Sequence, residues 1–274
     1  MTEADQELDR DLDVAALEAR LTTTWLGRRH VHVARCGSTN DLAAAEARKG
    51  AEEGLLFTAD EQSGGRGRQG RVWHSPPGAN LYFSFLLRPK RPAAEIPPLT
   101  LLVGGALAEA VRALGFTPRV KWPNDLLLTG DDGRRRKVAG ILTEATTEGE
   151  RIGHVVVGIG LNVNATSDDF PEALADKATS LRLMRGGPRL SRVDVLATAL
   201  EALERAYEQF QQRGIRAAIE LWESHADLGS PCRAQVSGRE IRGVMAGVDT
   251  DGALLIQDPT GTRHRVLSGE VLPG

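Results

Sequence analysis

Hydrophobic positions along this chain fall into two periods, and the change between them predicts the elements. Spacings of three and four residues mark helices over Leu12–Leu21, over Leu42–Arg48 and over Val193–Gln212, where Leu196, Leu200, Leu203 and Tyr207 share one face. A further helix starts at Pro97-Pro98, runs through Leu101, Leu102, Ala106, Ala110 and Leu114, and stops at Gly115. Another covers Ile215–Ser224. Between them, short apolar or alternating runs predict strands at His30–Ala34, 54–59, 80–87, Arg119–Lys121 leading into Leu126–Leu128, Val138–Glu144 and His154–Val163. After Ala226 the chain alternates apolar and polar residues in the runs Val244–Val248, Ala253–Gln257 and His264–Leu267. Turn signals at Asp249-Thr250-Asp251-Gly252 and Asp258-Pro259-Thr260-Gly261 separate these runs. The expected organisation is an acidic tip with a short helix (1–30), an α/β (α+β) body with a mixed sheet and flanking helices (31–226), and a small all-β unit (227–274) that leans on the body.

Composition narrows the function. Of 274 residues, 41% are hydrophobic and 26% charged, an ordinary globular balance. The net charge of −3 offers no overall attraction to nucleic acid, so any basic function must be local. Cys36 and Cys232 are far apart and fit neither a disulfide framework nor a zinc motif, so reduced thiols are expected. The acidic start is unlike a secretory signal, and no apolar run approaches the ~18 residues of a membrane helix. A cytoplasmic protein is expected, with neither a membrane nor DNA as partner.

The local basic feature is Gly64-Gly65-Arg66-Gly67-Arg68-Gln69-Gly70-Arg71, set between two strand-like runs. Glycines bring backbone N–H groups close to a ligand, and arginines add planar charged forks that match carboxylate and phosphate oxygens. This composition makes an anion cradle, best suited to a phosphate. The like charges of its arginines predict a loop that is mobile until anions arrive. Lysine is scarce, which singles out Lys121-Trp122-Pro123-Asn124-Asp125. Proline forces a break in the strand there, so the lysine just before it can project into a cleft. Asn124 and Asp125 supply oxygens for a hydroxyl, an amine or magnesium. Two more clusters follow: Arg135-Arg136-Lys137-Val138-Ala139-Gly140-Ile141-Leu142 with Glu144 beyond, and Gly158-Ile159-Gly160-Leu161-Asn162-Val163-Asn164.

Taken in order, Ser38-Thr39-Asn40, Gln62 with Gly65-Arg66-Gly67-Arg68, Trp73 with Gly78-Ala79-Asn80-Leu81, Lys121 to Asp125, Lys137 to Leu142 and Gly160-Leu161-Asn162 resemble the biotin protein ligases. The resemblance runs from about Val31 to Gly274. It implies a catalytic domain like those of class II aminoacyl-tRNA synthetases, followed by an SH3-like β-barrel. It also implies two half-reactions. Biotin and ATP give biotinyl-5′-AMP and pyrophosphate, and a lysine of a biotin carboxyl carrier domain then takes the biotin and releases AMP. By this likeness Lys121 and Arg68 are catalytic. Ser38, Thr39, Asn40, Gln62, Gly65, Arg66, Gly67, Arg68, Lys121, Gly140 and Gly160 surround biotin, while Arg66, Arg68, Trp73, Asn124, Lys137 and Asn162 serve the nucleotide. Magnesium is expected with ATP, its ligands unresolved, with Asp125 and Glu144 as candidates. Some relatives carry an N-terminal winged helix that binds an operator. The stretch before Val31 is too short for one, so a ligase without repressor function is expected.

Plainer readings stand beside these. Ser38-Thr39-Asn40 suits a helix cap, and the Gly–Arg loop suits a solvated turn or an RNA contact. Lys121 suits a snorkelling surface lysine, Trp73 a core residue, and Glu144 and Asn164 structural hydrogen-bonders. Arg134 to Lys137 suits a hairpin tip, and His74 and His154 read as structural. Gln69 occupies a loop position that is often basic. The rival activities are a lipoate–protein ligase or octanoyl transferase, whose cores look similar, and a nucleic-acid-binding regulator. The polar Ser38, Thr39, Asn40 and Gln62 argue against the long apolar tunnel that a fatty acyl group needs.

Overall fold

The computed structural model describes residues 12, 14–148, 151–236 and 239–273. Most of the acidic tip therefore lies outside the described residues.

A seven-stranded sheet forms the body. Its strands are β1 (His30–Cys36), β2 (Leu56–Gln62), β3 (Leu81–Leu87), β4 (Arg119–Lys121), β5 (Asp125–Thr129), β6 (Arg135–Glu148) and β7 (Arg151–Leu161), in the spatial order β1-β2-β3-β7-β6-β5-β4. Among the described residues of this sheet, β1 and β2 are the one pair of strands that runs parallel. A parallel pair needs a crossover, which the helix between them supplies. The helices are α1 (Val14–Arg20), α2 (Thr39–Arg48), α3 (Leu99–Ala113), α4 (Leu181–Arg185), α5 (Arg192–Arg213) and α6 (Ile215–Glu223).

Strand register divides the apolar residues between two faces. Leu81, Phe83, Phe85 and Leu87 of β3 and Val155, Val157, Ile159 and Leu161 of β7 join the main core, which α3, α5 and α6 also enter. On the other face Leu86 and Val156 meet Ala43, Ala47, Leu55 and Phe57 in a small cluster beneath α2. Further along that face the same two strands present Tyr82, Ser84, Gly158 and Gly160. Apolar packing stops there, and a cleft begins.

Two boundaries and one hydropathy reading differ from expectation. Helix α2 starts at Thr39 and not at Leu42, because Ser38 is its extended N-cap residue, although the Ser38 hydroxyl makes no capping bond. Strand β6 begins at Arg135, since the β5 hairpin pairs Thr129 with Arg135. The segment Ala93–Ala113 reaches a mean hydropathy of 1.3, in the range of a membrane helix, where the linear sequence shows no apolar run of that length. It holds the core helix α3, and 72% of an 18-residue stretch of it is buried inside the fold.

Residues 14–30 are fastened to the body. Leu17, Leu21 and Leu26 enter the main core. The Glu204 carboxylate of α5 accepts the N–H groups of Thr24, Trp25 and Leu26 at 2.7, 3.0 and 2.8 Å. Burial opposes the charge on Glu204, but these donors win and hold its carboxyl below the ordinary range.

A second sheet holds β8 (Pro231–Val236), β9 (Arg239–Val248), β10 (Leu254–Gln257), β11 (Arg263–Val266) and β12 (Val271–Pro273) in the order β11-β10-β9-β8-β12, all antiparallel. Its buried Cys232, Met245, Leu254, Ile256 and Val266 run on into the main core. Polar ties reinforce the junction. The Trp122 indole N–H donates to the Gly252 carbonyl at 3.0 Å, and the Val248 N–H donates to Glu223 at 3.2 Å. Arg119 and Arg135 both pair with Asp227. The expected small unit is present and does lean on the body.

Glu204→Ala leaves three backbone donors without their acceptor, so a loss of about 2–4 kcal/mol is expected. Urea unfolding of the two proteins checks this, and equal midpoints would contradict it.

Candidate active site

The cleft floor is built by absence. Opposite residues in neighbouring strands point to the same face, so Tyr82, Gly160, Gly140, Asp125 and Lys121 form one row across β3, β7, β6, β5 and β4. A second row holds Ser84, Gly158 and Leu142. The glycines are required by what lies on them. A Cβ at Gly158 would sit 1.9 Å from the Asn40 Oδ1, and one at Gly160 would sit 2.3 Å from the Trp73 indole. A Cβ at Gly140 would stand 2.8 Å from the same ring and 3.0 Å from the Lys137 Nζ.

One end of the cleft is polar and buried. Ser38, Thr39, Asn40 and Ser84 are at most 5% exposed. The Gln62 Oε1 accepts both the Thr39 N–H at 2.9 Å and its hydroxyl at 3.2 Å, and the Gln62 Nε2 donates to the Ser75 Oγ at 3.2 Å. The Ser84 hydroxyl lies 2.6 Å from the Asn40 Oδ1 and 2.7 Å from the Thr39 Oγ1. The Asn40 Nδ2 in turn donates to the Glu144 Oε2 at 2.5 Å. These bonds fix which edge of each amide is donor and which is acceptor. Such a set suits a compact neutral group that both gives and takes hydrogen bonds.

The other end carries Lys121, Lys137 and Arg71, while Arg66 of the same loop reaches back beside Asn40. The Gly–Arg loop closes as a small hairpin, with the Gly67 N–H on the Arg71 carbonyl at 2.7 Å and the Trp73 N–H on the Gly65 carbonyl at 2.9 Å. Its tip places Gln69 at φ 58°, a left-handed conformation unfavourable for a residue with a side chain. Carboxylates partner two of the three loop arginines. Arg66 makes a two-pronged pair with Asp41 at 2.6 and 2.8 Å and lies 4.0 Å from Glu144. Arg71 and Lys121 share Glu270 at 3.4 and 3.2 Å. Lys137 meets Asp125 at 2.6 Å and stands 5.2 Å from the centre of the Trp73 ring. The Arg66 hydrogen bond holds the Asp41 carboxyl below its ordinary value, and Lys121 does the same for Glu270, with Arg71 adding to it. Burial pulls the Arg68 guanidinium down, Arg71 adds to the effect, and Asp125 opposes it.

The remaining candidates divide. Asn124 spends its Nδ2 on the Ile141 carbonyl at 2.8 Å, and Asn162 spends its own on the Thr179 carbonyl at 3.0 Å. Asn164 is tied to Leu190 through both ends of its amide, a structural role. His74 bonds the Asp169 carbonyl. Asp125 and Glu144 each carry a cationic or amide partner, and among the described residues no three His, Cys, Asp or Glu side chains group as a metal cage. Sequence reasoning missed Ser75, Ser84 and Glu270 as parts of the site, and it named Gly158 in a cluster without giving it a ligand role. A lone serine in the apolar run of β3 was the available signal for Ser84. Nothing local marks Glu270, which lies 149 residues from Lys121. A groove of about 280 Å³ beside the β5–β6 hairpin tip, lined by Asp132, Arg136, Phe170, Thr179 and Met184 among others, contains none of the cleft residues. In the cleft itself the Trp73 ring occupies the glycine floor.

Residues 33–162 match the biotin/lipoate A/B protein ligase family, and residues 227–272 match the biotin protein ligase C-terminal domain. The chain belongs to the biotin protein ligase family. The bifunctional ligase/repressor BirA of Bacillus subtilis is 36% identical over 92% of this chain and 76% of its own length. The biotin–[acetyl-CoA-carboxylase] ligase of Paracoccus denitrificans is 34% identical over 88% of this chain and 99% of its own. A biotin protein ligase from Aquifex aeolicus, solved in complex with biotin and ATP, superposes with a TM-score of 0.74 at 29% identity. That match covers 90% of this chain and all of the other. In this ligase the first matched stretch contains the candidate residues from Ser38 to Asn162, and the second contains Glu270.

Gly160→Ala removes the space for the Trp73 ring without touching the main core. The expected result is greater acrylamide quenching of tryptophan emission at an unchanged thermal midpoint. Unaltered quenching would place the ring elsewhere.

Proposed function

We propose that the chain activates biotin with ATP to biotinyl-5′-AMP and transfers biotin to a lysine of the carrier domain of an acyl-CoA carboxylase. The observation that carries this reading is the single cross-strand row from Tyr82 through Gly160 and Gly140 to Asp125 and Lys121, which joins a neutral polar end to a cationic end. With strands about 4.8 Å apart, the row from Gly160 to Lys121 spans roughly 14 Å, enough for an elongated acid lying flat on glycine. Ser38, Thr39, Asn40 and Gln62 match the donors and acceptors of a ureido ring. Gly65, Arg66, Gly67 and Arg68 close over the ligand, and Gly140 and Gly160 give it room.

In the first step a biotin carboxylate oxygen forms a bond to the α-phosphorus, and the bond from that phosphorus to the pyrophosphate oxygen breaks. Two anions must touch. Lys121 bridges carboxylate and phosphate, and Arg68 and Arg66 offset their repulsion and the charge that spreads in transit. Trp73 covers the nucleotide with Lys137 beside it, and Asn124 and Asn162 shape its walls. In the second step a neutral carrier amine attacks the acyl carbon, the bond to the AMP oxygen breaks, and the amine loses a proton to solvent. Magnesium brought with ATP would offset phosphate charge, and Asp125 and Glu144, already paired with Lys137 and Asn40, would be the residues nearest to hand to hold it. Residues 31–226 form the catalytic domain and 227–274 the SH3-like unit. Two unpaired thiols, Cys36 and Cys232, suit a reducing cytoplasm.

Biotin-dependent exchange of pyrophosphate into ATP tests the reading, and exchange driven by lipoate in place of biotin would overturn it. Lys121→Ala is expected to slow adenylate formation by roughly 10²-fold or more, the scale of one preorganised donor. Near-normal pyrophosphate release by that variant would remove Lys121 from its role. Arg68→Gly is expected to release the adenylate into solution, and filter binding that retains it as well as the parent would count against the assignment.

A further inference from the structure

The Glu270 side chain reaches the cation cluster from the other sheet. It sits in the turn between β11 and β12. Its Oε1 accepts from the Lys121 Nζ at 3.2 Å, and its Oε2 lies 3.4 Å from the Arg71 Nη2. One carboxylate thus spans the end of β4 and the Gly–Arg loop. Its placement is no accident of a floppy terminus. The Trp122 indole, one residue beyond Lys121, is anchored on the Gly252 carbonyl of the same small unit. The contact that seats the strand break therefore also brings Glu270 to the lysine.

Two oxygens held about three ångströms from a lysine and an arginine make the pattern that a phosphoryl group would make there. Glu270 and a polyphosphate cannot both hold these cations, since the two anions repel. The Glu270 side chain is 49% exposed and that of Lys121 25% exposed, so the pair is weak and open to exchange with solvent groups. Gly269, at φ +129°, precedes Glu270 and has no Cβ to restrict the turn as the carboxylate leaves.

We propose that Glu270 is the resident counter-ion of the phosphate subsite, a stand-in that the nucleotide's polyphosphate displaces from Lys121 and Arg71 on binding. Glu270 thereby sets the affinity for polyphosphate from outside the catalytic sheet, and nucleotide arrival frees the small unit from one of its ties to the body. The inference rests on the adenylate-forming reading, because that reading supplies the phosphate that competes.

The test is calorimetric titration of the full chain with magnesium pyrophosphate and, separately, with biotin. Glu270→Gln keeps an oxygen for Lys121 but removes the charge. Pyrophosphate is expected to bind about 2- to 5-fold more tightly, the range set by losing one exposed ion pair. Biotin affinity is expected to stay within experimental error. Glu240→Gln makes the same charge change on β9, where Glu240 pairs only with Arg233 and Arg242 among the described residues, and is expected to leave both affinities unaltered. Unchanged or weaker pyrophosphate binding by Glu270→Gln would overturn the proposal, and so would equal tightening by Glu240→Gln. A misfolded Glu270→Gln, detected by its thermal midpoint, is replaced by Glu270→Asp. The shorter carboxylate reaches both cations poorly, so the same tightening is expected and its absence is equally decisive. Failure of the adenylate reading would appear separately, as a parent protein that binds pyrophosphate yet performs no biotin-dependent exchange.

Discussion

The site depends on three positions where a strand residue has no side chain. Gly140, Gly158 and Gly160 lie on the face of the sheet that α2 covers, and each has another group where its Cβ would be. Glycine inside a strand costs conformational entropy and gives up a packing contact. The fold bears that cost at the centre of its sheet, where β6 and β7 keep one register from Ala139 to Thr146, before the shift at Thr146–Thr147. A shift by one residue would send Ile159 into the cleft and Gly160 into the core. Recognition and stability are therefore enforced by the same register.

The second organising feature is electrostatic. Lys121, Lys137, Arg66 and Arg71 face three carboxylates of the protein, Lys121 and Arg71 sharing Glu270, so much of their charge is offset while a net positive charge remains for a ligand. Such half-exposed pairs add little stability. What they provide is placement. Hydrogen bonds depress the Asp41 and Glu270 carboxyls below their ordinary range. A depressed acid contributes stability that is complete above its unfolded pKa and fades as pH falls through its folded one. The arrangement is thus fully formed near neutrality and loosens only in acid.

The third feature is the coupling of two sheets. Trp122, Asp227, Glu223 and Gly252 tie the small unit to the strand break that carries Lys121. A unit of this size has a thin core of its own, and its buried Leu254, Ile256 and Val266 continue the body's core. The small unit and the body stabilise one another, and Lys121 stands at their seam.

What the sequence alone determined is local or periodic. Helices α3, α5 and α6 follow from 3.6-residue spacing, and the hairpins of the second sheet follow from their Asp and Gly turns. The motifs from Ser38 to Asn162 carried the family, because chemistry at a cleft constrains residue type more tightly than packing does. Tertiary structure alone decided the rest. Leu42 as the first helical residue was a misreading, because an extended Ser38 marks a helix start only once its backbone is seen. Ser84 became part of the site because register sets it opposite Gly158, and Glu270 because a turn 149 residues away folds back onto Lys121. The partners of the loop arginines were equally invisible, because Asp41 comes from α2 and Glu270 from the second sheet. Proximity between distant residues leaves no mark on composition or period, since it arises from the summed packing of elements and from no single one of them.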